Sequence, residues 1–179
     1  RQVQVVIAAH SSEPSRDVAE KAKAFVRELA KCGKDITLLL GGYWGLMKVV
    51  VDEALALGMR VVVVLPLERE DVELPEGVIR VKTGCEYRCR SVVLVRSGDV
   101  LVSLGGGSGT MAEMLMAYAM GIPVFALVNT GMYSDGLAKA FPEYFDERRA
   151  VKVSYFSNPL ELARAVCSSK GGRVKTSFG

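Results

Sequence analysis

The feature that most constrains this chain is a set of short apolar runs that do not alternate with polar residues. Val3 to Ala9, Ile36 to Leu40, Arg60 to Pro66, Asp99 to Leu104 and Ile122 to Val128 are each of strand length and mostly apolar. A strand with one wet face alternates, whereas a strand covered on both faces does not, and double coverage is the mark of a parallel sheet. Between the runs lie segments with apolar residues at helical spacing, as in Ala19, Ala22, Phe25, Val26 and Leu29. Helices are predicted over Ala19–Leu29, Leu46–Leu57, Tyr87–Ser97, Met111–Met120, Leu137–Phe141 and Pro159–Cys167, and Gly33, Gly58 and Gly121 stop three of them. Val78–Val81 and Val151–Tyr155 read as short additional strands. Strand–helix alternation with right-handed crossovers leaves few topologies. The predicted fold class is α/β, a Rossmann-like doubly wound parallel sheet in a single domain spanning residues 1–167. Residues 168–179 are polar and glycine-rich and read as a flexible tail.

Composition narrows the function classes. Half of the 179 residues are hydrophobic and 24% are charged, which excludes a disordered or collagen-like chain. No apolar run approaches the roughly 18 residues of a membrane span. The N-terminus lacks the basic, apolar, small-residue order of a secretory signal, so the expected location is cytoplasmic. A net charge of +3 is too small to argue for nucleic acid. The acidic stretch 67–77 reads as a solvated loop. Four cysteines, Cys32, Cys85, Cys89 and Cys167, form no C-x-x-C pair, and the expectation is reduced thiols. The single histidine, His10, removes the usual zinc sites, and neither a metal nor a resident cofactor is expected.

In an open parallel sheet, ligands sit beyond the carboxyl ends of the strands where the strand order reverses. Three strand ends carry suitable chemistry: Ala9-His10-Ser11-Ser12, the turn Gly41-Gly42-Tyr43-Trp44-Gly45, and the turn Gly105-Gly106-Gly107-Ser108-Gly109-Thr110. Glycine lets a backbone approach a bulky anion, and the helix that follows points free N–H groups at it. Two such turns point to a shared site for a phosphate-bearing small molecule. Neither is a Walker motif, since no Gly-Lys-Ser/Thr is present. Gly107 to Ala112 fits G-x-G-x-x-A, but no acidic residue follows about 20 positions on, which disfavours a dinucleotide. Glu113 either faces this site or closes a capping box with Thr110. Arg90 is either a site residue or an ordinary helix arginine. Tyr43 and Trp44 either stack on a ligand ring or lid the core.

Gly41-Gly42-x-x-Gly45-Leu46-Met47 with Asp52-Glu53-Ala54, then Arg90, Asp99, and Gly106-Gly107-Ser108-Gly109-Thr110-Met111-Ala112-Glu113, resemble the LOG family, long misnamed lysine decarboxylases. The family hallmark is P-G-G-x-G-T-x-x-E with an Arg-Lys pair upstream. The resemblance implies a Rossmann-like homodimer or higher homo-oligomer that hydrolyses the N-glycosidic bond of nucleoside 5′-monophosphates. It places catalytic roles on Arg90 and Glu113. It places phosphate or nucleotide binding on Gly106, Gly107, Ser108, Gly109 and Thr110, with Gly42, Gly45, Ser11 and Ser12 as further contacts. The chain departs from the family in three places. Gly105 stands for the proline, Ser91 for the lysine, and Arg88 where a histidine is common. These departures resemble a prokaryotic side branch akin to molybdenum-cofactor carrier proteins, which bind a pterin phosphate without hydrolysing it. Two expectations follow, a phosphoribohydrolase or a non-hydrolytic carrier or sensor. Neither involves nucleic acid or a membrane.

Overall fold

The computed structural model describes residues 2–176. Seven parallel strands, β1 (Gln2–Ala8), β2 (Asp35–Leu40), β3 (Arg60–Leu65), β4 (Ile79–Lys82), β5 (Val100–Ser103), β6 (Val124–Leu127) and β7 (Val153–Phe156), form one sheet in the order β4-β3-β2-β1-β5-β6-β7. Helices α1 (Arg16–Ala30), α2 (Gly45–Ala56), α3 (Tyr87–Arg96), α4 (Ser108–Ala119), α5 (Gly136–Ala140) and α6 (Pro159–Ser168) connect them. The order reverses between β1 and β5, which pair in parallel from Val5↔Val100 to Ala8↔Ser103. Strands after β1 step one way and strands from β5 onward step the other way, so a crevice opens between the two ends.

The two faces of the sheet carry separate cores. On one, Val5, Ile7, Leu38, Leu40, Val61 and Val63 pack beneath α1, α2 and α6. On the other, Val6, Ala8, Leu39 and Leu101 pack beneath α3 and α4. Adjacent residues of one strand thus enter opposite cores, which is why the runs do not alternate. Helix α1 begins at Arg16, three residues before the apolar periodicity. Ser15 caps it, its hydroxyl accepting from the Val18 N–H at 3.2 Å, and Asp17 sits in the first turn. Asn158 caps α6 in the same way, with Pro159 at the first helical position.

The cysteines correct the sequence reading. All four are paired, Cys32 with Cys167 and Cys85 with Cys89. The first pair joins the segment after α1 to the end of α6, with Cα atoms 5.7 Å apart across a sequence separation of 135. No local spacing rule reveals such a contact, which arises because α1 and α6 pack side by side. The second pair spans the start of α3. The segment after α6 folds back, with the Val174 N–H donating to the Gly121 carbonyl at 2.8 Å. Residues 177–179 of the tail lie outside the described residues. The 67–77 stretch is a loop as expected, except for a single 3-10 turn at Leu67–Arg69.

The long-range disulfide generates a stability prediction. Closing so large a loop restricts the unfolded chain, and losing such a link costs about 2–5 kcal/mol. Replacing Cys32 and Cys167 together with serine is expected to lower the unfolding free energy by that amount in urea titration. Replacing Cys85 and Cys89 is expected to cost clearly less, because the loop they close spans only 4 positions.

Candidate functional site

His10 is the hinge around which the site is built. It follows β1 at the reversal point. Its N–H donates to the Gly105 carbonyl at 3.1 Å, and its carbonyl accepts from the Leu46 N–H at 3.1 Å. One residue therefore ties the end of β1 to both glycine turns. The cleft above it has a volume of about 690 Å³, within the range of small-molecule sites. Ser11, Ser12, Arg90, Gly107, Ser108, Gly109, Thr110 and Glu113 all line it.

The two glycine turns do different work. In the first, Gly45 has φ +56°, and a Cβ there would lie 2.5 Å from the backbone of Ser11 and Ser12. Glycine is required so that α2 can dock on the end of β1. That docking uses the Leu46 N–H, so the start of α2 is occupied by protein. Gly42 packs beneath the Trp44 indole. Neither Gly42 nor Gly45 is on the cleft wall; Gly41 and Trp44 are.

The second turn is built to present its amides. Helix α4 starts at Ser108, three residues earlier than its periodicity predicts, so the glycine turn is itself the first helical turn. Met111 is the first residue to bond back, its N–H donating to the Gly107 carbonyl at 3.0 Å. The preceding N–H groups have no intrahelical acceptor, and no side chain caps this helix. Their positive end points into the cleft. Gly106 lies behind the wall, where a Cβ would strike Thr110. Its N–H donates to Ser134 Oγ at 3.0 Å, and its carbonyl accepts the Ser134 N–H at 2.9 Å. Ser134 is held in turn by a loop that Asp135 closes, its carboxylate accepting from Thr130 and Gly131 at 2.7–3.0 Å. Sequence reasoning assigned no role to Ser134, and only its position after a strand end hinted at one.

Gly105 has φ +105°. Proline holds φ near about −65°, so the family's proline does not fit this backbone. The departure noted in the sequence is therefore a different path of the turn, with Met132 and Thr130 packed where a Cβ would go.

Glu113 settles one open alternative. Thr110 lies inside the helix, so no capping box forms. The Glu113 carboxylate instead accepts from Ser91 Oγ at 2.8 Å on α3. It is 8% exposed, on the cleft wall one turn below the free amides. Burial pushes its pKa above the ordinary value, against the pull of the Ser91 hydroxyl and the Arg90 charge. Arg90 is also 8% exposed, and is no ordinary surface arginine. Its guanidinium donates to the Gly41 carbonyl and lies 5.7 Å from the Tyr87 ring centroid. A Cβ on Gly41 would lie 2.9 Å from that guanidinium, which explains the first glycine of the turn. Burial lowers the Arg90 pKa and the nearby Glu113 charge raises it. His10 Nδ1 lies 3.0 Å from Ser12 Oγ, and burial lowers its pKa. Among the described residues no three metal-ligating side chains cluster, and no helix is long and apolar enough to cross a membrane.

A doubly wound parallel sheet with one uncapped glycine-rich helix start, a buried arginine and a buried glutamate at its reversal point defines a LOG-like protein. Residues 2–162 match the SLOG cluster4 family, and the chain belongs to that family. An uncharacterised protein of Archaeoglobus fulgidus is 31% identical over 126 residues, covering 70% of this chain and 79% of that one. The crystal structure of the structural-genomics target TM1055 is 32% identical, covers 92% of this chain and 98% of its own, and superposes with a TM-score of 0.82. The molybdenum cofactor carrier protein of Chlamydomonas reinhardtii is 25% identical with a TM-score of 0.74, covering 93% and 96% of the two chains. The molybdenum cofactor binding protein of Rippkaea orientalis shares the fold at 21% identity and a TM-score of 0.73, covering 94% and 99%.

Glu113 carries a pH prediction. Its folded pKa is raised, so the native state holds the proton longer than the unfolded chain does. The stability it contributes is fully present below the ordinary value of 4.5 and is lost as pH rises through the folded value. Glu113→Gln cannot ionise. Its stability relative to the parent is expected to improve as pH rises from 4.5 through the folded value and to level off above it, measured by urea unfolding at a series of pH values.

Proposed function

We propose that the cleft binds a phosphomonoester of nucleotide size, either a nucleoside monophosphate or a pterin phosphate, and retains it as a carrier or sensor does. The observation that carries this reading is the uncapped first turn of α4, with its N–H groups facing a cleft that Ser11 and Ser12 close from the β1 side. Oriented amides and two hydroxyls suit a phosphate dianion. A ring or sugar attached to that phosphate extends past Arg90, Ser91 and Glu113.

Retention is supported by the direction in which burial moves the Glu113 pKa. An ionised carboxylate stabilises the positive charge that builds on ribose during N-glycosidic cleavage. Here burial favours the protonated form, and the neighbour on α3 is the neutral Ser91 where the LOG pattern has a lysine. In its protonated form this carboxyl, next to the Ser91 hydroxyl, would offer hydrogen bonds to the edge of a bound ring. The kinship with proteins described as molybdenum cofactor carriers adds support.

A specific observation favours the hydrolase reading as well. Arg90 and Glu113, the pair the resemblance makes catalytic, line the same cleft as the phosphate turn. In that reading Glu113, once ionised, orients water at the sugar carbon and Arg90 holds the ribose. Incubation with AMP separates the two. Binding without release of adenine supports the carrier. Release of adenine and ribose 5-phosphate, abolished in Glu113→Gln, supports the hydrolase.

The phosphate seat has its own test. A Cβ at Gly109 meets nothing within 4 Å, so a side chain there fits. Gly109→Asp places a carboxylate at the helix start, where it favours the fold and repels a phosphate. The variant is expected to unfold at the same or higher urea concentration and to lose at least tenfold in affinity for AMP, read by calorimetry. Unchanged affinity would place the phosphate elsewhere.

A further inference from the structure

Above the phosphate turn, the mouth of the cleft is aromatic and cationic, and neither catalysis nor phosphate binding uses these groups. Trp44, from the turn after β2, and Tyr87, from the first turn of α3, both line it. Tyr87 is 38% exposed. Arg69 reaches in from the 3-10 turn after β3, and its guanidinium carbon lies 4.3 Å from the Trp44 ring centroid. Arg69 is exposed, and among the described residues no carboxylate lies within ion-pair distance of it. The arm that carries it is fastened to the segment leading into α3 by the Leu67 N–H, which donates to the Cys85 carbonyl at 2.7 Å.

We propose that the Trp44 indole is the seat for a planar heteroaromatic ring, purine or pterin, with Tyr87 as a second wall and Arg69 holding the seat until the ring displaces it. The inference rests on the reading that phosphate sits at the start of α4, and it names what lies at the other end of the ligand. A guanidinium is flat, delocalised and weakly hydrated, and it stacks on an aromatic face much as a ring does. Its place over the indole marks a surface that receives flat groups from the solvent side. Trp44 is rigidly presented for this task. It precedes the first residue of α2, its indole rests on Gly42, and part of it packs on the core. The exchange is undemanding because Arg69 lies on a solvent-exposed turn and gives up one cation–π contact in leaving.

Trp44 is the only tryptophan in the chain, so the protein reports on its own ring site. The unmodified protein is titrated with AMP, ribose 5-phosphate and inorganic phosphate. Emission excited at a wavelength where adenine does not absorb is followed, and affinities are measured by calorimetry. AMP is expected to quench Trp44 and to bind about 5- to 150-fold more tightly than ribose 5-phosphate, the factor equivalent to a base–aromatic stack. Ribose 5-phosphate is expected to bind with little change in emission. A pterin phosphate, measured by calorimetry against the same reference, tests the second ring, and a gain with either ring supports the seat. Trp44→Phe is expected to keep most of that gain and Trp44→Leu to lose it, while both keep their affinity for inorganic phosphate. If ribose 5-phosphate binds as tightly as both ring-bearing ligands, the ring seat is wrong and the phosphate site stands. If none of the phosphorylated compounds binds, both readings fall together.

Discussion

The reversal of strand order between β1 and β5 is the constraint on which the rest of the structure depends. Two connections leave adjacent strand ends in opposite directions, and no helix can cover the gap between them. The chain fills the rim of that gap with backbone. His10 bonds to Gly105 on one side and to Leu46 on the other, and the two glycine turns are held at a fixed spacing. Glycine at position 45 is then a packing requirement, because α2 approaches β1 too closely for a Cβ. The second turn escapes that use. It remains an uncapped helix start because its supporting bonds run backwards, from Gly106 to Ser134 and from Ser134's loop to Asp135.

Burial decides the electrostatics. Arg90 on α3 and Glu113 on α4 line the same cleft, and each is removed from water. Desolvation is the larger influence on both, lowering the arginine and raising the glutamate, and their mutual attraction offsets it only in part. A buried charge is tolerated when hydrogen bonds replace its water. For Arg90 the replacement is the Gly41 carbonyl, which fixes α3 to the end of β2. For Glu113 it is one hydroxyl, a weaker substitute than a cation. The site thus holds its arginine by geometry and leaves its glutamate chemically adjustable.

Much of this was legible in the residues, for identifiable reasons. The unbroken apolar runs betray double coverage, and the sheet is parallel throughout. The glycine turn before Glu113 marks the helix start that faces the cleft. What escaped was whatever depends on contacts between distant segments. Cys32 and Cys167 meet only because α1 and α6 pack together, and nothing local to either cysteine says so. The two glycine turns look equivalent in sequence, but one is used up by β1, as only the docking of α2 reveals. Thr110 and Glu113 spell a capping box, yet the helix begins two residues before Thr110, so the spacing has a different meaning. The early helix starts have different causes. The Ser15 hydroxyl sets the first turn of α1 and the path of the glycine turn sets that of α4, and apolar periodicity is blind to both.

The replacement of the LOG lysine by Ser91 bears directly on chemistry. An ammonium beside Glu113 would hold the carboxylate ionised in a desolvated wall, since an opposite charge at hydrogen-bond range favours the charged form. A hydroxyl donates one hydrogen bond and brings no charge. It stabilises the carboxylate less, and it accepts a hydrogen bond in return when the carboxyl is protonated. Serine at this position therefore leaves burial as the larger influence on Glu113, whose pKa stands above its ordinary value despite the nearby Arg90. In its protonated form the carboxyl would pair with Ser91 as donor and acceptor, which matches the edge of a heteroaromatic ring with its alternating nitrogens and amino or oxo groups. The substitution that weakens the case for charge stabilisation at a sugar is thus the one that strengthens the case for reading a ring.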